Sequence, residues 1–79
     1  MNNVEKLNEI FVEIFSCNVS ELKTEFNKDA IDGWDSVRQL TLTSAIEDTF
    51  DVLLDPEDII ACTSYNAVID VLRKYEIEL

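Results

Sequence analysis

Apolar side chains recur at Val4, Leu7, Ile10, Phe11, Ile14 and Phe15, in steps of three and four that place them on one face of a helix. This spacing predicts a first amphipathic helix over about residues 3 to 15. The period then disappears. In SCNVSELKTEFNKDAIDGW the apolar residues Val19, Leu22, Phe26 and Ile31 stand singly among polar neighbours. A connection longer than about 12–15 residues is usually functional or disordered, and here a long ordered loop pinned by those four side chains is expected. A second helix should begin at Asp35 or Ser36, just beyond Gly33, and continue to about Asp51, with no glycine or proline to interrupt it.

On that helix Leu42, Ile46 and Phe50 follow one another at four-residue steps and should face a core. Val37 and Leu40 fall well round the cylinder, beside Ser44, Glu47 and Asp48, on the expected solvent side, with Ser36 near the edge of the same strip. Beyond it, Asp55 is placed to cap a short helix with Pro56 at its first position. Ser64 then opens a last helix whose Ala67, Val68, Val71, Leu72 and Tyr75 share a face, and Arg73 and Lys74 complement the dipole in its final turn. The predicted class is all-α, a bundle of three main helices plus one short helix with a long loop between helices 1 and 2. With 79 residues, a single domain over residues 1–79 is expected.

Charge narrows the choice of partners. Seventeen acidic residues against 6 basic ones give a formal charge of -11, while 47% of the residues are apolar, too many for a disordered acidic tail. Such a surface repels nucleic acid and anionic lipid and favours partner proteins with basic docking faces. There is no histidine, so the commonest general base and transition-metal ligand is missing. A core of this size rarely leaves more than about 3–5 kcal/mol of net stability, and no carboxylate pair or activated nucleophile is placed in a convincing pocket. A non-enzyme is expected. Cys17 and Cys62 form no CxxC pattern and read as two buried thiols. No signal-peptide pattern opens the chain and no run approaches the roughly 18 apolar residues of a membrane span, so a cytoplasmic monomer is expected.

The stretch DGWDSVRQL, residues 32–40, concentrates the candidate chemistry. Ser36 with Gln39 three residues on makes a capping box that needs no chemistry. Asp35 is an equally good cap, and only one residue can hold that position. If Asp35 holds it, the Ser36 hydroxyl stands in the first turn beside the positive end of the helix dipole, where an attached anion would be favoured. A calcium loop fails, because counting back from Gly33 places Lys28 and Ala30 where ligands are needed.

At these residues the sequence resembles the acyl carrier proteins. GWDSV stands at that family's Asp-Ser-Leu attachment motif, with Val37 replacing the leucine, and the resemblance extends from the first helix through DPEDI to TSYNAVIDVL. It implies a carrier whose Ser36 receives 4'-phosphopantetheine from coenzyme A through a separate magnesium-dependent phosphopantetheinyl transferase. The arm's thiol then bears an acyl or aminoacyl thioester in fatty acid, polysaccharide or secondary-metabolite biosynthesis. By the family pattern Asp35 belongs to the attachment motif, and Val37, Leu40, Glu47 and Asp48 form the strip read by loading and processing enzymes. Arg38 and Thr41 stand where housekeeping fatty-acid carriers are often acidic. This implies a different partner specificity, and Trp34 before the Asp-Ser pair resembles free-standing carriers of dedicated pathways, with a loop aromatic packed over the domain as the plain alternative. An interior facing Phe50, Ile59, Cys62 and Val68 could admit an acyl chain, with dense packing as the default. The alternative is an unmodified acidic interaction module with the same strip.

Overall fold

A computed structural model describes residues 2–22, 26–31 and 33–79. Four α-helices order the chain: α1 (Asn3–Phe15), α2 (Ser36–Phe50), α3 (Pro56–Ala61) and α4 (Tyr65–Lys74), with a single 3-10 turn at Val19–Glu21. No strand forms among the described residues. The all-α class and the order of three main helices and one short one agree with the expectation from periodicity. So does the start of α2 at Ser36, while its end falls at Phe50 with Asp51 closing it in a left-handed conformation.

The helix starts follow ordinary capping physics. Asn2 accepts the Glu5 amide, Asp35 that of Arg38 and Ser64 that of Ala67, each removing one of the unpaired amides at a helix N-terminus. Asp55 occupies the position before α3 but caps it without a side-chain hydrogen bond. Its own amide instead donates to the Tyr75 hydroxyl at 3.0 Å.

The three main helices deliver most of one core. Leu7, Ile10 and Phe11 of α1, Leu42 and Ile46 of α2, and Val68, Val71 and Leu72 of α4 are buried, with Leu54, Cys62 and Tyr65 among them. Phe50 is only partly buried at the edge of this cluster. The long connection packs into it through Phe26 and Trp34, whose rings lie 5.9 Å apart and meet Phe11 and Phe15 at 4.7–6.1 Å between centroids. Leu22 and Ile31 are half-buried against the same cluster. Val19 departs from the expectation. It opens the 3-10 turn with its side chain 56% exposed, outside the core cluster.

Backbone pairing also fastens the loop. The Lys28 amide donates to the Thr63 carbonyl and the Tyr65 amide to the Phe26 carbonyl, at 2.8 and 2.9 Å, tying the α1–α2 connection to the α3–α4 turn. Cys17 is half-buried and Cys62 fully buried, and neither is in a disulfide. Burial, with the Asp58 carboxylate as a lesser cause, pushes the Cys62 thiol up to about 11, so it stays protonated and acts as a small apolar side chain.

One polar cluster joins α3 to the end of α4. Asp58 is buried and accepts from the Tyr75 hydroxyl at 2.5 Å and from the Lys74 ammonium at 2.9 Å. Lys74 therefore reaches α3 as well as ending α4. The Tyr75 hydrogen bond first, and Lys74 second, hold the Asp58 carboxyl below its usual value. A depressed folded-state value gives stability that is present above the unfolded pKa of about 3.9 and lost as pH falls through the folded one. Asp58→Asn is therefore expected to melt at a lower temperature than the wild type at neutral pH. The gap should narrow in thermal melts as the pH is carried down past the unfolded value of about 3.9. An equal gap at every pH would assign the effect to packing alone.

Candidate functional site

The head of α2 is built by its own sequence. Asp35 takes the cap, its carboxylate accepting the Arg38 amide at 2.9 Å and its carbonyl the Gln39 amide. Of the two readings left open by DGWDSVRQL, the capping box at Ser36 does not form. Ser36 is the first helical residue, exposed, and among the described residues its hydroxyl has no hydrogen-bond partner. Helix geometry leaves the first amides directed out of this end, which favours a negative group there.

Gly33 allows the chain to enter the helix at this angle. Its φ is 86°, and a Cβ placed there would lie 2.8 Å from an Arg38 guanidinium nitrogen. That guanidinium donates to the Gly33 carbonyl at 2.8 Å and, at 3.3 Å, to the Ile14 carbonyl at the end of α1. The Arg38 charge is thus held at the head of α2, where it ties α1 to the turn. The Thr41 hydroxyl is taken by the Val37 carbonyl at 2.9 Å.

Gln39, a capping partner only if Ser36 held the cap, has a different task. It is buried, and its amide is bonded at both ends. Its oxygen accepts the Trp34 indole N–H at 2.6 Å, and its nitrogen donates to the Ile59 and Cys62 carbonyls at 2.8 and 2.5 Å. A signal existed in the sequence: at about 100° per residue, Gln39 lies on nearly the same line of the helix as Ile46, the core line. Trp34, read as a mark of dedicated carriers, is 4% exposed and is the other half of this contact.

Outside this clamp lies a cleft of about 310 Å³, lined by Lys28, Ser36, Gln39, Leu40, Ile59, Ile60 and Thr63. Lys28 brings a positive charge to its rim. Ile60, 74% exposed, is an apolar surface residue that no periodicity in a six-residue helix could single out. Val37 and Leu40 are 71% and 60% exposed, as their helical phase requires, and Asp48 is exposed further along. Glu47 is half-buried, and its carboxylate accepts the Leu54 amide at 2.9 Å. The structure therefore brings Ser36, Leu40 and Ile60 to one cleft, keeps Val37 and Asp48 on the open face of α2, and gives Glu47 a second task in closing the turn after that helix.

Among the described residues no group of acidic or cysteine side chains is placed to hold a metal ion, and no helix is long and apolar enough to cross a membrane. No curated protein and no solved structure matches the chain. A family match does cover it: residues 5–72 fit the phosphopantetheine attachment site family, PP-binding, whose domain is the site of covalent 4'-phosphopantetheine attachment and is not itself catalytic. Because that match covers most of the chain, with α2, α3, the greater part of α1 and α4 and the Asp35–Ser36 turn, the chain belongs to the phosphopantetheine-attachment family of acyl carrier proteins.

Proposed function

We propose that Ser36 is the residue that takes the 4'-phosphopantetheine arm, and that the protein uses the arm to tether acyl or aminoacyl intermediates as thioesters for a dedicated set of enzymes. The observation that carries this reading is the division of labour at the head of α2. Asp35 performs the capping, so the exposed Ser36 hydroxyl beside it is not needed by the fold. In loading, the Ser36 oxygen forms a phosphoester as the pyrophosphate bond of coenzyme A breaks. The nucleotide half leaves, and the hydroxyl proton passes to the transferase.

The residues fit such a group. A phosphodiester on Ser36 would stand at the positive end of α2, where helix geometry directs the first amides outward, with Lys28 on the rim of the same cleft. When bound, the group supplies the thiol on which a thioester is carried. The protein's own side chains place and present it. Tethering raises the effective concentration of the cargo at each docked enzyme, as linked binding does.

The exposed apolar pair Val37 and Leu40, with Asp48 along the helix, makes the docking strip for partners bearing basic faces. Glu47 contributes its charge from a half-buried position, fixed to the Leu54 amide. Arg38 and Thr41 make the head of the strip less negative than an all-acidic helix would be, which suits partners selected for one pathway. Ile60 extends the strip across the cleft.

Incubation with coenzyme A, magnesium and a broad-specificity phosphopantetheinyl transferase is expected to add one phosphopantetheine to the wild type and none to Ser36→Ala, read by intact mass. As an exposed position without a bond, Ser36→Ala should change stability by no more than about 0.5 kcal/mol. A well-folded wild type that gains no mass with several transferases would turn the reading to an unmodified interaction module. Leu40→Glu should fold normally and raise the transferase KM for the carrier by about fivefold or more, the factor for losing ~1 kcal/mol at an interface. An unchanged KM would remove Leu40 from the strip.

A further inference from the structure

The cleft beside Ser36 has apolar walls in Leu40, Ile59 and Ile60 but a polar floor. Of its lining residues only Gln39 is buried, so Gln39 separates the cleft from the interior. Its amide spans the seam between α2 and α3, reaching the Ile59 and Cys62 carbonyls, and is itself held by the Trp34 indole. Directly inside are Leu42, Ile46, Cys62 and Val68, all with 0% exposure. One turn along α2 the buried Thr43 adds a second polar group, its hydroxyl taken by the Gln39 and Leu40 carbonyls.

An alkyl chain passing from Ser36 into the core would have to displace the Gln39 side chain. It would leave the Trp34 N–H and two carbonyls without partners in contact with hydrocarbon, which offers no hydrogen bond in return. It would also have to open a region of close-packed side chains. Gln39 acts here as a bolt across the natural entry.

We infer that this carrier keeps its cargo outside the core, and that the cargo is a short or polar acyl unit held at the surface cleft instead of a long alkyl chain buried between helices. The inference rests on Ser36 as the point of attachment. A short or polar group gains little from burial, so a barred interior costs such a carrier nothing. It also leaves the thioester open to the docked enzyme at all times, with no step in which the chain must first be released.

The test loads the wild type from butanoyl- and decanoyl-coenzyme A and measures the rate at which hydroxylamine cleaves each thioester, with backbone amide spectra recorded alongside. Each buried methylene would slow the reaction by about fourfold. Equal rates for the two cargoes, with unmoved resonances for Leu42, Ile46, Cys62 and Val68, are expected. Slower cleavage of the decanoyl form together with shifts at those residues would overturn the inference while leaving the attachment reading intact. Failure to load from any acyl-coenzyme A, seen by mass, would overturn both. Gln39→Ala removes the bolt and should create chain-length protection absent from the wild type. Gln39→Asn, too short to reach both carbonyls, serves if the alanine variant does not fold. Wild-type behaviour in the folded variant would show that Gln39 is not what bars the entry.

Discussion

The side-chain amide of Gln39 is bonded at both of its ends inside the protein, to the Trp34 indole on one side and to the carbonyls of Ile59 and Cys62 on the other. These partners belong to the loop before α2 and to the end of α3, two segments with little regular structure of their own. A buried amide is costly if any of its groups is left unpaired. Satisfying it therefore fixes where the loop arrives, where α3 ends and how far α2 stands from α3. The orientation of Trp34 follows, and with it the packing of Phe26, Phe11 and Phe15 around that ring.

This clamp and the Ser36 hydroxyl share the first turn of α2 and border one cleft, with Gln39 buried and Ser36 exposed. The inner side is committed to structure through Gln39. The outer side is relieved of structural duty, because Asp35 supplies the cap and Arg38 holds the entering turn through the Gly33 and Ile14 carbonyls. A position for modification has to be exposed, chemically free and rigid in its backbone. The helix start provides rigidity, and the neighbouring residues provide freedom by taking over the local hydrogen bonding. The same economy appears at the other end of α2, where Glu47 lends its carboxylate to the Leu54 amide.

The start of α3 is held by a relay instead of an amide. The Asp55 amide donates to the Tyr75 hydroxyl, which donates to Asp58, which Lys74 neutralises. The relay joins α3 to the end of α4, so the short helix is fastened at its start by Tyr75 and at its end by Gln39. Six residues could not hold a helix alone. Two polar anchors give α3 a defined place, and through it the cleft beside Ser36 acquires its wall.

Much of this was readable in one dimension. The three-and-four spacing of Val4 to Phe15, the four-residue steps of Leu42, Ile46 and Phe50, the Asp55–Pro56 pair and the Ser64 cap are local signals, because helix phase and capping depend on residues within a turn or two. They determined the helices, the exposure of Val37 and Leu40, and the position of the Asp-Ser turn at the head of α2. What they could not settle is which polar residues turn inward and what these meet, since Gln39 finds carbonyl partners 20 and 23 residues away. Local pattern determined the helices and the turn that presents Ser36. Only the tertiary structure decided that the Gln39 amide closes on the Ile59 and Cys62 carbonyls, and that Lys28, Ile60 and Thr63 meet the head of α2 at one cleft, because each depends on contacts between segments distant in the chain.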